Sequence, residues 1–86
     1  MTYRLIVPPS IRRQIDKLPV ETQRQLHSLF RDICEDPGRH TGPHGLEDDG
    51  PVQMRSAGRG GVLVAVLIND LTINVTVVSV QNPFDD

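Results

Sequence analysis

The C-terminal part of this 86-residue chain has a composition that favours strands, and its only lysine or arginine side chains are two arginines. Arg55 and Arg59 lie four residues apart, and no other lysine or arginine occurs between positions 52 and 80. A guanidinium group can donate two parallel hydrogen bonds to a phosphate or a carboxylate. Ionic chemistry in this part of the chain therefore depends on Arg55 and Arg59, or on the acidic connector that precedes them.

That connector, residues 38–50, carries the other groups that could take part in chemistry. It contains His40, His44 and Glu47, followed by two aspartates. Glu47 or His44 could act as a general base beside the arginines. The two histidines are four residues apart. On a helix this spacing would place both side chains on one face, but a loop rich in Pro and Gly does not. The pattern indicates a solvated loop, and we expect neither a metal nor a cofactor.

Composition and charge predict one folded domain over residues 1–86. The chain is 37% hydrophobic and 23% charged, which is ordinary for a soluble globular protein. Cys34 is the only cysteine and excludes an intrachain disulfide. Residues 1–34 carry six cations and three anions, whereas residues 35–50 carry one cation and five anions. A dedicated nucleic-acid binder usually shows a strong basic excess, so a polyanion would have to bind a local patch.

We expect a cytoplasmic protein with no membrane partner. The apolar stretch at residues 3–7 is too short for a signal peptide and is followed by two prolines. The longest apolar run, residues 62–68, is far below the length that spans a bilayer.

The N-terminal half predicts a short strand and two helices. Residues 3–7 favour a strand, which the following prolines end. Ser10 can cap the first helix, whose apolar side chains recur on one face: Ile11, Ile15 and Leu18. Pro19 suits the start of the second helix. The stripe of the second helix is the clearest pattern in the chain: Leu26, Leu29, Phe30, Ile33 and Cys34. Residues 36–38, Asp-Pro-Gly, end this helix.

The C-terminal half predicts three strands. Residues 52–55 alternate apolar and polar side chains, as a half-exposed strand does, and residues 58–61 suit a loose turn. Residues 62–68 are apolar on both faces, which is typical of a central strand. The pair at 69–70, Asn-Asp, fits a tight hairpin. The last strand, residues 71–80, presents threonine and asparagine on one face.

This order predicts an α+β fold, β-α-α-β-β-β. A two-helix hairpin packs on one face of a mainly antiparallel four-stranded sheet. Two helices cannot cover both faces, so we expect one face to stay open and to be lined by Arg55 and the Thr and Asn row. An exposed apolar face or edge would also allow a homodimer.

The order and spacing of these elements resemble the RelE/ParE toxin superfamily of bacterial type II toxin–antitoxin systems, over nearly the whole chain. The matching motifs are Tyr3-Arg4-Leu5-Ile6-Val7, Ile15-Asp16-Lys17-Leu18-Pro19, Asp36-Pro37, Gly45-Leu46, Gln53-Met54-Arg55, the aliphatic run 62–66 and Val77-Val78-Ser79-Val80. The resemblance implies a small toxin that an antitoxin wraps with an extended or helical segment. RelE-like members cut messenger RNA in the ribosomal A site, whereas ParE-like members inhibit DNA gyrase.

The resemblance also assigns roles to residues. Arg55 matches the first arginine of the family's Arg-x-Gly-x-x-Arg segment. The second arginine falls in the pair Gly60-Gly61, unless a shift of one or two residues lets Arg59 replace it. The family ends in a basic residue or histidine and then an aromatic residue, and this chain reads Gln-Asn-Pro-Phe at 81–84. Phe84 could stack on a base, but it has no group that titrates.

Metal-free RNA cleavage needs a base, positive charge for the phosphorane and an acid for the leaving oxygen. Arg55 and Arg59 could supply the charge, and Glu47 or His44 the base. No residue replaces the missing terminal acid. The predicted catalytic set is Arg55, Arg59, Glu47 and Phe84, and the predicted RNA contacts are Arg12, Arg13 and His44.

A plainer interpretation competes with this one. An arginine on an edge strand often only solubilises that edge, and the helix arginines could equally contact an acidic antitoxin segment. The alternative function is therefore a non-nuclease of the same fold, either a ParE-like gyrase inhibitor or a catalytically degenerate antitoxin-binding protein.

Overall fold

The structure is a computed structural model that describes residues 2–43 and 50–82. Its helices and strands follow one another in this order: β1 (Arg4–Ile6), α1 (Pro9–Asp16), α2 (Val20–Glu35), α3 (Pro37–His40), β2 (Gly42–Pro43), β3 (Val52–Arg59), β4 (Val62–Asn69) and β5 (Asn74–Gln81).

The strands form one mainly antiparallel sheet in the order β1-β5-β4-β3-β2. β1 runs parallel to β5, and the other neighbours are antiparallel. The predicted α+β class and the β-α-α-β-β-β framework are confirmed. The expected count of four strands was wrong by one, because Gly42 and Pro43 pair with Ser56 and Arg55. Two residues of this type give no strand pattern that a sequence reading could detect.

The two long helices arise from the apolar stripes that the sequence predicts. Ile11 and Ile15 are the buried residues of α1, and all five residues of the α2 stripe are buried. The predicted cap at Ser10 was wrong, because α1 already begins at Pro9. The missing amide hydrogen of a proline costs nothing at that position. Within residues 2–43 and 50–82, no helix has both the length and the apolar character needed to cross a membrane.

The core lies between α2 and the two strands at the centre of the sheet. Leu26 and Ile33 of α2 have no exposed surface, and neither do Val66, Val75 and Val77 of β4 and β5. Burying aliphatic side chains is worth about 25 cal/mol per Å² of apolar surface, so this layer is the main source of stability. α1 adds Ile11 and Ile15 at its margin.

Both hairpin turns differ from their predictions. Gly60 and Gly61 have positive φ angles of 64° and 80°; they form a tight two-residue turn rather than the predicted loose one at 58–61. The second connection is longer than predicted, because β4 ends at Asn69 and β5 starts only at Asn74. The side-chain oxygen of Asn69 accepts hydrogen bonds from the amides of residues 71 and 72. This local contact competes with strand pairing.

One face of the sheet is open, as expected. Thr76 pairs with Leu67, and Leu67 pairs with Met54, all on the side opposite to the buried valines. A bulge on β5 leaves Val78 without a partner and exposed, and Val80 packs against the core. Asn74 and Thr76 therefore line the open face, whereas Thr72 lies in the turn before β5. Arg55 does not line the open face.

Candidate functional site around Arg55

Arg55 lies on the face of the sheet that the helices cover, so its predicted place on the open face was wrong. It pairs directly with Val66, and paired residues point to the same side of a sheet. The side chain of Val66 is completely buried in the core. The alternation at 52–55 predicts the reverse of the observed faces. Met54 is the exposed residue, 37% accessible, and Arg55 is half-buried.

Thr41 holds the Arg55 guanidinium with two hydrogen bonds. Nε donates to the Thr41 hydroxyl at 2.9 Å, and Nη2 donates to the Thr41 carbonyl at 3.0 Å. The Thr41 hydroxyl in turn donates to the Pro37 carbonyl at 2.6 Å. Thr41 is the residue at which α3 ends and the chain turns towards β2. These contacts fix the guanidinium between β3 and the short third helix.

Arg55 lines a polar cavity of about 390 Å³. Three acidic residues, Glu35, Asp36 and Asp70, also line it, together with Tyr3. Asp36 accepts a hydrogen bond from the Arg39 amide as the cap of α3. Among the described residues, none of the three forms an ion pair with Arg55. The cavity thus combines one held cation with several oxygen acceptors.

Tyr3 and Asp70, which lie 67 positions apart in the sequence, meet at this cavity. The Tyr3 hydroxyl donates to Asp70 Oδ1 at 2.7 Å. This hydrogen bond is the main reason why the pKa of Tyr3 lies above its ordinary value of 10.0, because it favours the neutral phenol. Tyr3 thus acts as a hydrogen-bond donor to Asp70.

Arg59 has a different environment from Arg55. Its Nη2 lies 2.9 Å from Asp32 Oδ2, and its Nη1 donates to the Ser28 hydroxyl at 3.1 Å. Both contacts reach α2, and Gln25 packs on Gly60 beside them. Arg59 does not line the cavity around Arg55. Its guanidinium ties the β3–β4 turn to α2.

The predicted RNA contacts on α1 lie outside the Arg55 cavity. Arg12 and Arg13 are exposed, and Arg12 lines a second, mostly apolar cavity of about 440 Å³ between β1 and the two long helices. Cys34 lines that cavity too, and burial raises the pKa of its thiol. This fits an inert apolar residue rather than a nucleophile.

Three predicted site residues, His44, Glu47 and Phe84, lie outside the described residues. Their roles as base, RNA contact and stacking group stay predictions. Among residues 2–43 and 50–82, no group of three or more His, Cys, Asp and Glu side chains is placed to hold a metal ion.

Sequence patterns alone do not indicate Thr41, Asp70 or Tyr3 as site residues. They predict a hairpin turn at Asp70 and a strand at Tyr3. Only the pairing of β1 with β5 brings these two together, across 67 positions. Thr41 lies 14 residues before Arg55. No local sequence pattern indicates a contact over that distance.

Solved structures provide the comparisons for this chain. An archaeal RelE in a RelE–RelB complex from Pyrococcus horikoshii OT3 superposes with a TM-score of 0.81 at 16% identity, over 100% of both chains. The RelBE2 toxin–antitoxin complex of Mycobacterium tuberculosis gives 0.78 at 24% identity, over 99% of this chain and 95% of the other. The intact E. coli RelBE complex gives 0.71 at 18% identity, over 96% and 99%.

No family model matches the sequence, and no curated protein sequence matches it either. The likeness is therefore one of fold, and it extends over nearly the full length of each of these chains.

Proposed function

Since the chain has the RelE toxin fold, we propose that it is the toxin of a type II toxin–antitoxin pair. The observation that carries this proposal is the match to RelE chains along almost their entire length. Two of those chains come from structures described as toxin–antitoxin complexes, and the third from a RelE–RelB complex. The main partner would be a cognate antitoxin, and the proposed compartment is the cytoplasm.

The proposed activity is ribosome-dependent cleavage of messenger RNA, with Arg55 as the residue that binds the scissile phosphate. Thr41 holds its guanidinium in place, and Arg55 lines a polar cavity. A cation positioned before the reaction stabilises charge that develops in the transition state. Glu47 or His44 would be the base, Phe84 would stack on a nucleotide, and the α1 arginines would contact flanking phosphates.

A second candidate is a non-nuclease of the same fold, directed at gyrase or limited to antitoxin binding. The observation in its favour is the number of acidic residues near the two arginines. Three carboxylates line the cavity of Arg55, and Asp32 pairs with Arg59. Carboxylates near a phosphate site oppose the binding of a polyanion. This candidate predicts no RNA cleavage that depends on Arg55.

Controlled expression in bacteria separates the candidates. The variants are wild type, Arg55→Ala and, as a matched control, Arg24→Ala. Arg24 lies on the outer face of α2 with 75% of its side chain exposed. Growth is followed, primer extension maps cuts in a reporter messenger, and plasmid supercoiling reports on gyrase.

Growth arrest with codon-phased cuts in the wild type and in Arg24→Ala, but without cuts in Arg55→Ala, is the expected result. Arrest without cuts but with relaxed plasmids would overturn the nuclease proposal in favour of gyrase. If the wild type causes no arrest, the toxin activity itself is refuted and an antitoxin-binding role remains. Rescue of growth by the neighbouring reading frame would identify the antitoxin.

A further inference from the structure

We propose that Thr41 is a positioning residue for Arg55, one that presents the terminal edge of the guanidinium to an RNA phosphodiester. The inference rests on the proposed nuclease function, because it concerns how the same site holds its phosphate. It starts from which hydrogen-bond donors of Arg55 are already in use.

The two hydrogen bonds to Thr41 occupy one edge of the guanidinium. Nε and one proton of Nη2 donate to the hydroxyl and the carbonyl of the same residue, at 2.9 and 3.0 Å. A guanidinium carries five donor protons in a fixed plane. The edge formed by Nη1 and the second proton of Nη2 therefore remains, and its two parallel donors match two phosphate oxygens.

No carboxylate occupies that remaining edge in the part of the chain that the structure describes. Arg59 shows the opposite case, since Asp32 binds its terminal nitrogen. Both arginines lie on β3, but the direct partner of Arg55 within the described residues is the neutral Thr41. Glu35, Asp36 and Asp70 line the same cavity without forming an ion pair with Arg55. This contrast assigns the phosphate contact to Arg55 and a structural contact to Arg59.

Thr41 can hold Arg55 because hydrogen bonds to Pro37 and the pairing of β2 with β3 both fix the position of Thr41. Its hydroxyl proton is committed to the Pro37 carbonyl at 2.6 Å, which leaves the oxygen lone pairs to accept from Nε. Its backbone amide also donates to the Pro37 carbonyl, at 3.1 Å. The next residue, Gly42, pairs with Ser56 on the strand that carries Arg55. The acceptor and the arginine are thus fixed relative to each other by the sheet.

The test uses Thr41→Val, which keeps the side-chain shape but removes the hydroxyl, and Thr41→Ser, which keeps the hydroxyl. Thr76→Val is the matched control, because Thr76 lies in β5 on the open face of the sheet. Cleavage of ribosome-bound messenger is measured with purified protein. We expect Thr41→Val to lower kcat about tenfold with little change in KM. Thr41→Ser should stay within about twofold of the wild type, and Thr76→Val should be unchanged.

A double-mutant cycle distinguishes positioning from a general structural role. If Thr41 acts through Arg55, then Thr41→Val should cause no further loss when Arg55 is already alanine. A further loss in that background, or a rate for Thr41→Val equal to the wild type, overturns the inference while the nuclease proposal stands.

A spectroscopic measurement reports on the contact without activity. In ¹⁵N–¹H spectra the Arg55 Nε–H should exchange slowly with water in the wild type and in Thr41→Ser, but rapidly in Thr41→Val. Equal exchange in all three proteins would refute the contact. If the wild type shows a protected Nε–H and still cuts no messenger, the nuclease function has failed, and the phosphate role of Arg55 and Thr41 fails with it.

Discussion

At the scale of single residues, the partner of an arginine decides its role more than its position in the sequence does. Arg55 and Arg59 lie on the same strand and point to the same side of the sheet. Neutral oxygens of Thr41 hold Arg55, whereas Asp32 pairs with Arg59. A nearby carboxylate offsets the field of a cation, so the two are expected to differ in their attraction for anions.

Tyr3 provides a prediction about pH at the same scale. Its hydroxyl donates to Asp70, and its pKa lies above the ordinary value of 10.0. Below about pH 10 the phenol is neutral in both the folded and the unfolded state, and the hydrogen bond contributes fully. As pH rises further, the unfolded state loses its proton first, so the free energy of unfolding falls until the folded pKa is passed.

We therefore expect Tyr3→Phe to be less stable than the wild type near neutral pH and to lose less stability above about pH 10. Urea unfolding at several pH values measures this difference. Tyr3 is the only tyrosine, and the chain has no tryptophan, so absorbance near 295 nm reads its titration directly. Stability curves of the two proteins that run parallel from neutral to alkaline pH would contradict the prediction.

At the scale of elements, helices were predictable from the sequence and strand faces were not. Ile11, Ile15 and the α2 stripe are buried as their spacing indicates, because a helical stripe depends only on local periodicity. The face of Arg55 depends on which residue of β4 lies opposite. That register is set by the two-glycine turn, and a shift of one residue would reverse it.

The contact between Arg59 and Asp32 joins two elements, and its strength can be measured. Both side chains are one-third exposed, so solvent screening limits the coupling to about 0.5–1 kcal/mol. A double-mutant cycle of Arg59→Ala and Asp32→Ala in urea unfolding should give this value. The cycle should give a smaller value at about 1 M NaCl.

The pair Arg24–Glu21 serves as the control for that cycle. Its atoms are 3.5 Å apart, and its side chains are 75% and 67% exposed. We expect its coupling to be about 0.3 kcal/mol or less. Equal couplings for the two pairs would mean that Arg59 does not fasten the turn to α2.

At the scale of the whole molecule, stability depends on one layer of aliphatic contacts between α2 and the sheet. Leu26 is fully buried in that layer, whereas Leu71 is 75% exposed in the turn before β5. Leu26→Ala should lower the free energy of unfolding by about 3 kcal/mol, and Leu71→Ala should change it by less than about 0.5 kcal/mol. Unfolding in guanidinium chloride measures the free energy of unfolding of both variants. Similar losses in the two variants would show that the layer is not the core.

The position of β1 beside β5 has a consequence for how the protein is synthesised. The first strand has no neighbour in the sheet until the last strand exists, and the Tyr3–Asp70 bond spans 67 positions. Contacts so distant in sequence close slowly, because the loop entropy must be overcome first. A nascent chain that stops before residue 74 would lack the strand that joins β1 to β4. The fold, and any activity that needs it, would therefore appear only once translation has passed β5.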